Sequence, residues 1–274
     1  MNAAVTEKLA LVRSALFLPA SNPRAIAKAQ GLDCDLAILD LEDAVRDEDK
    51  ATARSAAAAA CAATWKAELV AIRINGRGSP DHDADVAMIA DAKPDLAVAP
   101  KVQSGTEAAM IAAAVGVPLL AMIETPAGVY AAREIASAEG VAGIIVGTND
   151  LAAELRLPPG AGREGMMLAL QSILLAVRAA GGVALDGVFN SLDDADGFAA
   201  QCREGRVLGF DGKTLIHPSQ IEPCNRLFGP GEAEIEEATA LIKAATGGAE
   251  RFRGRMVETM HVDAARRLLA RARI

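Results

Sequence analysis

Short runs of apolar, often β-branched residues recur along the chain, and each is followed by a stretch with helical character. That alternation predicts parallel βα units, because a strand buried on both faces reads as an unbroken apolar run and its crossover returns through a helix. Eight such runs are present: Ala15–Leu18, Leu36–Leu39, Leu69–Ile74, Leu96–Ala99, Pro118–Ile123, Val141–Val146, Val183–Val188 and Leu208–Phe210. The intervening segments Lys50–Ala63, Thr106–Val115, Ala127–Ala138 and Gly162–Ala180 are rich in alanine, the strongest helix former. Ser104 with Glu107 three residues on has the form of a capping box, and Ser191 precedes an Asp-rich stretch that predicts a helix start.

Eight units in 274 residues fit a (β/α)8 TIM barrel, for which about 250 residues is typical. An open doubly wound sheet is the rival. Closure is favoured by polar residues at nearly every strand end: Ser21, Asp40, Arg73, Lys101, Glu124, Asp150, Asp186 and Lys213. A barrel gathers all eight strand ends round one site, whereas an open sheet uses only those at its switch point. No Gly-rich dinucleotide fingerprint follows any strand. The expected division is a barrel over residues 1–231 and a C-terminal helical tail or lid over 232–274, ending in an amphipathic helix near Val262–Arg273. The tail is surplus to eight units, and its apolar residues at helical spacing must bury on something, as in a lid or a segment exchanged between subunits.

Composition narrows the function. With 51% apolar residues the chain is not disordered. Lys and Arg total 28 against 36 Asp and Glu, a net charge of −8, and aromatics are only 3%. Neither an electrostatic grip on nucleic acid nor an anionic membrane surface fits that balance. The four cysteines lack C-x-x-C spacing, and Glu7, Lys8 and Arg13 interrupt any secretory apolar stretch. These features predict reduced thiols in a cytoplasmic protein with no membrane span.

Glu124 closes the run PLLAMIET and Asp150 follows the run GIIVG, one βα unit apart. Neighbouring barrel strands lie about 4.8 Å apart, so carboxylates at adjacent ends can share one hard cation, Mg2+ or Mn2+ in preference to zinc. Asp150 has a second reading as a cap for a helix over Leu151–Leu155. Arg73 ends the apolar run LVAIRIN, where a guanidinium needs a carboxylate partner. That partner is either a substrate acid or a salt bridge to Glu42 or Asp43. The cluster Asp40, Glu42 and Asp43 could orient Arg73 or hold metal-bound water. Gly212-Lys213-Thr214 resembles the end of a phosphate-binding loop, but Val207 stands where that motif needs glycine. Asp81, His82, Asp83 and Asp85 read as a helix start, three histidines without H-x-x-x-H spacing do not make a zinc site, and no G-x-S-x-G elbow is present.

RSALFLPASNPR (Arg13–Arg24), LDLEDAV (Leu39–Val45), RIN (Arg73–Asn75), Pro100-Lys101, IETPAGV (Ile123–Val129), GTNDLAAEL (Gly147–Leu155) and GFDGKTLIHPSQI (Gly209–Ile221) occur in one order along the chain. In that order the sequence resembles the citrate lyase beta subunit and HpcH/HpaI aldolase family, which includes malyl-CoA lyases. The resemblance implies a (β/α)8 barrel that cleaves or forms a carbon–carbon bond in a 3-hydroxyacyl-CoA thioester of citryl-CoA or malyl-CoA type, yielding a 2-oxo acid and an acyl-CoA. It implies Mg2+ on Glu124 and Asp150, Arg73 and Glu124 on the substrate, and a homotrimer in which the tail carries an acid–base residue to the neighbouring site. Malyl-CoA lyase-like members have aspartate at that tail position; here it is Glu258, without the proline that usually follows. Arg24 and Lys28 are candidates for the coenzyme A phosphates. Two other readings stay open: a class II pyruvate aldolase acting without coenzyme A, against which RSALFLPASNPR and IHPSQI speak, and a non-catalytic binding subunit, against which the intact Glu124, Asp150 and Arg73 speak.

Overall fold

Each strand's side chains alternate between two buried surfaces, one filling the barrel and one packing on helices, and this is why the strands read as continuous apolar runs. The structure, a computed structural model, describes residues 3–272. Its first half runs α1 (Ala3–Leu9), β1 (Ser14–Pro19), α2 (Pro23–Ala29), β2 (Leu36–Asp40), α3 (Lys50–Cys61), β3 (Leu69–Arg73), α4 (His82–Ala92), β4 (Leu96–Ala99) and α5 (Gly105–Val115). Next come β5 (Leu119–Ile123), α6 (Pro126–Tyr130), α7 (Ala132–Ala136), β6 (Val141–Val146), α8 (Thr148–Glu154), α9 (Met167–Ala180), β7 (Val183–Asp186), α10 (Ala195–Leu208), β8 (Gly212–Leu215) and α11 (Ile221–Phe228). The tail is α12 (Glu232–Ala244), a hairpin of β9 (Glu250–Phe252) and β10 (Arg255–Val257), and α13 (Thr259–Arg271).

Strands β1 to β8 pair in sequence order and β8 returns to β1, all parallel, so the expected barrel closes. Leu36, Ile38, Leu69, Ala71, Leu120 and Leu185 fill its interior, and Val5 and Leu9 of α1 plug the end where the strands begin. On the outer face Ala37, Leu39 and Ile72 meet the helix layer, where Ala53 and Ala57 of α3 are fully buried. Among the described residues no helix is long and apolar enough to cross a membrane.

The eighth strand lies elsewhere than its apolar run suggests. Leu208 ends α10, and Gly209 caps that helix in the left-handed region at φ 109°. The strand starts at Gly212, where a Cβ would stand 2.6 Å from the Val12 carbonyl oxygen. Its second residue, Lys213, is fully buried, and hydrophobic patterning cannot register a buried ammonium. Lys213 Nζ donates to Asp186 Oδ2 at 3.0 Å and to Gln201 Oε1 at 2.6 Å, while Arg163 Nη2 donates to Asp186 Oδ1 at 2.7 Å. Asp186 and Lys213 therefore belong to an ion-pair network in the helix layer and not to the barrel mouth.

Smaller corrections follow the same logic. The cap of α10 is Asp194, whose Oδ1 accepts from the Gly197 N–H at 2.8 Å, whereas Ser191 contributes only its backbone carbonyl to the preceding turn. The helix expected over Ala127–Ala138 breaks at Ala131 into α6 and α7. Ser104 Oγ does accept from the Glu107 N–H at 3.2 Å, but the Glu107 carboxylate reaches the Gln103 N–H, one residue before the cap. Asp85 is fully buried, accepting from Arg54 Nε at 2.7 Å and from the Asn75 N–H at 2.8 Å, and so does more than complement a helix dipole. The tail adds a hairpin to its helices and buries its own small cluster of Ala238, Leu241, Val257 and Ala265. Its last helix begins earlier than predicted, and Arg273, the predicted end, lies outside the described residues.

Candidate active site

The register of β2 on β3 sets Asp40 beside Arg73 at the carboxyl ends of both strands. Arg73 Nε donates to Asp40 Oδ1 at 2.7 Å and Nη2 to Oδ2 at 2.6 Å, a two-pronged match of planar groups. Nη1 faces Glu42 Oε2 at 2.9 Å, and Asp43 stands 4.0 Å away. The salt bridge expected with Glu42 or Asp43 is thus secondary to Asp40. The guanidinium lies over the Phe17 ring, 4.9 Å from its centroid. Burial disfavours its charge, but the Asp40 hydrogen bonds and the surrounding carboxylates outweigh that and raise its pKa.

Lys50 anchors the loop that carries Glu42 and Asp43. Its buried ammonium donates to the carbonyl oxygens of Leu41 and Glu42 at 2.9 and 2.8 Å and to Asn75 Oδ1 at 2.7 Å. Asn75 in turn donates through Nδ2 to Leu41 O at 2.9 Å and to Asp85 Oδ2 at 2.7 Å. Glu42 is buried enough that its pKa rises to about 7, with Arg73 opposing the rise.

Glu124, the residue after β5, is 3% exposed. Its Oε2 accepts from the Lys101 backbone N–H at 2.8 Å. Burial lifts its pKa to about 6 against the pull of that N–H and of Arg73, and Asp150 adds to the lift. Gly147 makes room for it, since a Cβ there would stand 2.3 Å from Glu124 Cγ. Asp150 sits in the first turn of α8, whose cap is Gly147, so the capping role considered for Asp150 is not the one it has. Lys101 adopts a left-handed backbone at φ 51°, a conformation that costs a non-glycine residue about 1–2 kcal/mol. Its ammonium lies 3.8 Å from Asp150 Oδ2; partial burial lowers its pKa, and Asp150 with the other mouth carboxylates raises it further than that.

Asp40, Asp43, Arg73, Glu124 and Asp150 all line one cavity of roughly 450 Å³ at the barrel mouth. The facing wall, from the ends of β7, β8 and β1, is mostly apolar and includes Val188, Ile216, Phe17 and Leu18, with Thr214 among them. Among the described residues around this mouth, the five carboxylates Asp40, Glu42, Asp43, Glu124 and Asp150 stand with the two cations Arg73 and Lys101. An all-oxygen donor pair in surplus negative charge fits a hard divalent cation. Among the described residues no three His, Cys, Asp or Glu side chains converge as a ready-made metal cluster. Such an ion would therefore take two ligands from the chain and leave its remaining positions to water or substrate oxygens.

Other candidates lie apart from the cavity. Arg24, in the first turn of α2, and Lys28, one turn further along, are both exposed. Glu258 is exposed at the start of α13, where its N–H donates to His261 Nδ1 at 3.0 Å, and it lines a separate hollow within the tail. Lys101, Gly147, Lys50 and Asn75 were not assigned roles from sequence. Lys101 ends an apolar run and, like Asn75 and Gly147, lies in a motif of the resemblance, but what each of the four does depends on partners distant in the chain.

Comparison with known proteins agrees with this architecture. A family described as HpcH/HpaI aldolase/citrate lyase matches residues 13–218, and one described as a C–C bond lyase of the TIM-barrel fold matches residues 167–274. A (3S)-malyl-CoA thioesterase of Cereibacter sphaeroides is 42% identical over 269 residues, covering 95% of this chain and 94% of that protein. A citrate lyase subunit beta-like protein of Deinococcus radiodurans is 36% identical, covering 95% and 97%. The crystal structure of protein CitE from Mycobacterium tuberculosis, in complex with magnesium, acetoacetate and coenzyme A, superposes with a TM-score of 0.83 at 31% identity, covering 96% of this chain and 98% of that one.

Proposed function

The chain belongs to the HpcH/HpaI aldolase/citrate lyase family, and from that premise we propose that it is a Mg2+-dependent enzyme that cleaves or forms a carbon–carbon bond in a 3-hydroxyacyl-CoA of malyl-CoA or citryl-CoA type. The observation that carries this reading is the meeting of Arg73 with the Glu124 and Asp150 carboxylates on one cavity at the barrel mouth. Glu124 and Asp150 would hold the ion. When bound, Mg2+ or Mn2+ supplies positive charge to the carboxylate and hydroxyl oxygens of the acid fragment.

Arg73 is held edge-on by Asp40 and flanked by Glu42, so its guanidinium is fixed before substrate arrives. It faces the developing charge on the thioester oxygen, which becomes an enolate as the carbon–carbon bond breaks. Cleavage passes the substrate hydroxyl proton to a base, releases a 2-oxo acid as the carbon–carbon bond breaks, and ends when that base returns the proton to the enolate carbon. Glu258 of a neighbouring subunit is the group we assign to that proton in a trimeric assembly, because its own chain holds it away from the cavity. The exposed cations Arg24 and Lys28 are assigned to the coenzyme A phosphates.

Thioester hydrolysis is a second reading, favoured by the 42% identity with malyl-CoA thioesterases. The same Arg73 would then stabilise the oxyanion formed when water adds to the thioester carbonyl. Incubation with (3S)-malyl-CoA and Mg2+ separates the two. A lyase releases glyoxylate and acetyl-CoA with no free thiol; a thioesterase releases malate and titratable coenzyme A thiol. If neither set of products forms, malyl-CoA is overturned as the substrate.

A further inference from the structure

Lys101 touches both carboxylates of the proposed metal pair. Its backbone N–H donates to Glu124 Oε2 at 2.8 Å, and its ammonium stands 3.8 Å from Asp150 Oδ2. The left-handed backbone at φ 51° lets one residue send its amide to one acid and its side chain to the other. The charged groups facing the ammonium are Asp150, Glu42, Asp43 and Glu124, all of them carboxylates of this mouth. Nearly half of the side chain, 46%, is open to solvent, so it can swing without disturbing the core.

We propose that the Lys101 ammonium is a placeholder cation, which balances Asp150 in the metal-free protein and is displaced from it when a divalent cation enters between Asp150 and Glu124. The amide N–H keeps its hold on Glu124 throughout, so the backbone organises the site while the side chain competes for it. Two positive charges cannot share Asp150 without mutual repulsion, and the ammonium is the one on a flexible stem. This inference rests on the reading of Glu124 and Asp150 as the ligands.

Calorimetric titration of the full chain with MgCl2 alone tests it. Lys101→Met retains the amide and the backbone geometry but removes the charge, and it should bind Mg2+ about two- to five-fold more tightly than wild type, the range set by a half-exposed ion pair. Lys101→Arg keeps a cation and should bind as wild type does. Lys101→Gly removes the charge and the backbone strain together and should also tighten binding, which decides the matter if the methionine variant does not fold. Should wild type bind Mg2+ while the neutral variants bind it no more tightly, the placeholder role is overturned and the metal site stands. Should wild type bind no Mg2+, the metal site falls and the placeholder with it.

Discussion

Asp40 and Arg73 are register neighbours on adjacent parallel strands, and their planar groups meet edge to edge at 2.6 and 2.7 Å. The pair is almost wholly buried, so Asp40→Asn leaves a guanidinium short of countercharge inside the protein. Breaking a buried pair from one side costs about 3–5 kcal/mol, and the remaining Glu42 contact places this case near the lower end. Calorimetry should show a fall of several degrees in Tm, and an unchanged Tm would mean that Glu42 alone suffices.

Arg73→Lys keeps the charge and loses the two-pronged geometry. Its kcat/KM should fall nearly as far as that of Arg73→Ala, with the loss mainly in kcat because the interaction strengthens along the reaction path. Wild-type kcat/KM in the lysine variant would reject a role for Arg73 in the chemical step.

Magnesium should act oppositely to protons at Glu124. Its folded pKa of about 6 lies above the ordinary 4.5. Between those values the folded chain keeps a proton that the unfolded chain has released, so metal-free stability falls as pH rises, by roughly 2 kcal/mol in all. A bound cation favours the ionised carboxylate and reverses that loss. The Tm gain from Mg2+ should be large near pH 7.5 and small near pH 5, and Glu124→Gln should abolish it at both. An equal gain at the two pH values would place the ion elsewhere.

Gly147→Ala separates steric from conformational effects, since Gly147 has an ordinary φ of −88° and an alanine there is not strained by its backbone. The new Cβ would lie 2.3 Å from Glu124 Cγ, so Glu124 must move. Mg2+ binding should weaken markedly and activity should drop about a hundredfold, the scale for a 1 Å displacement of a reacting group. Retained metal affinity in the alanine variant would show that Glu124 is not a ligand.

Glu258→Gln should slow turnover and leave Mg2+ binding and assembly intact, because it removes an acid–base group with little change of shape. Glu258→Asp restores the residue usual in malyl-CoA lyase-like tails and tests whether the longer side chain limits the rate. Sedimentation as a monomer, or full activity in Glu258→Gln, would make the tail structural only.

Seven of the eight strands were legible because their signal is local: a run of buried aliphatic residues announces itself without reference to the rest of the chain. The eighth was not, because β8 buries Lys213, whose countercharge Asp186 lies on β7 and whose other acceptor, Gln201, lies on α10. Glu124, Asp150 and Arg73 stood out as charges at the ends of apolar runs, and the structure gathers them on one cavity. The partner of Arg73 was harder to choose, since Asp40, Glu42 and Asp43 are all near in sequence and only the strand register singles out Asp40. The roles of Lys101 and Gly147 depend on backbone torsion and on the space around Glu124, neither of which residue identity encodes alone.

Asp40, Arg73, Lys101, Glu124 and Asp150 come from five consecutive strand ends, β2 to β6, whereas β7, β8 and β1 give the cavity its apolar wall. On the proposed function, reactivity and selectivity fall on different arcs of one ring, joined where Phe17 of β1 stacks on Arg73. On that reading, substitutions at Val188 and Ile216, just beyond β7 and β8, would change which acyl group is accepted while the charged arc stays as it is, so relatives could diverge in what they accept without rebuilding how they react.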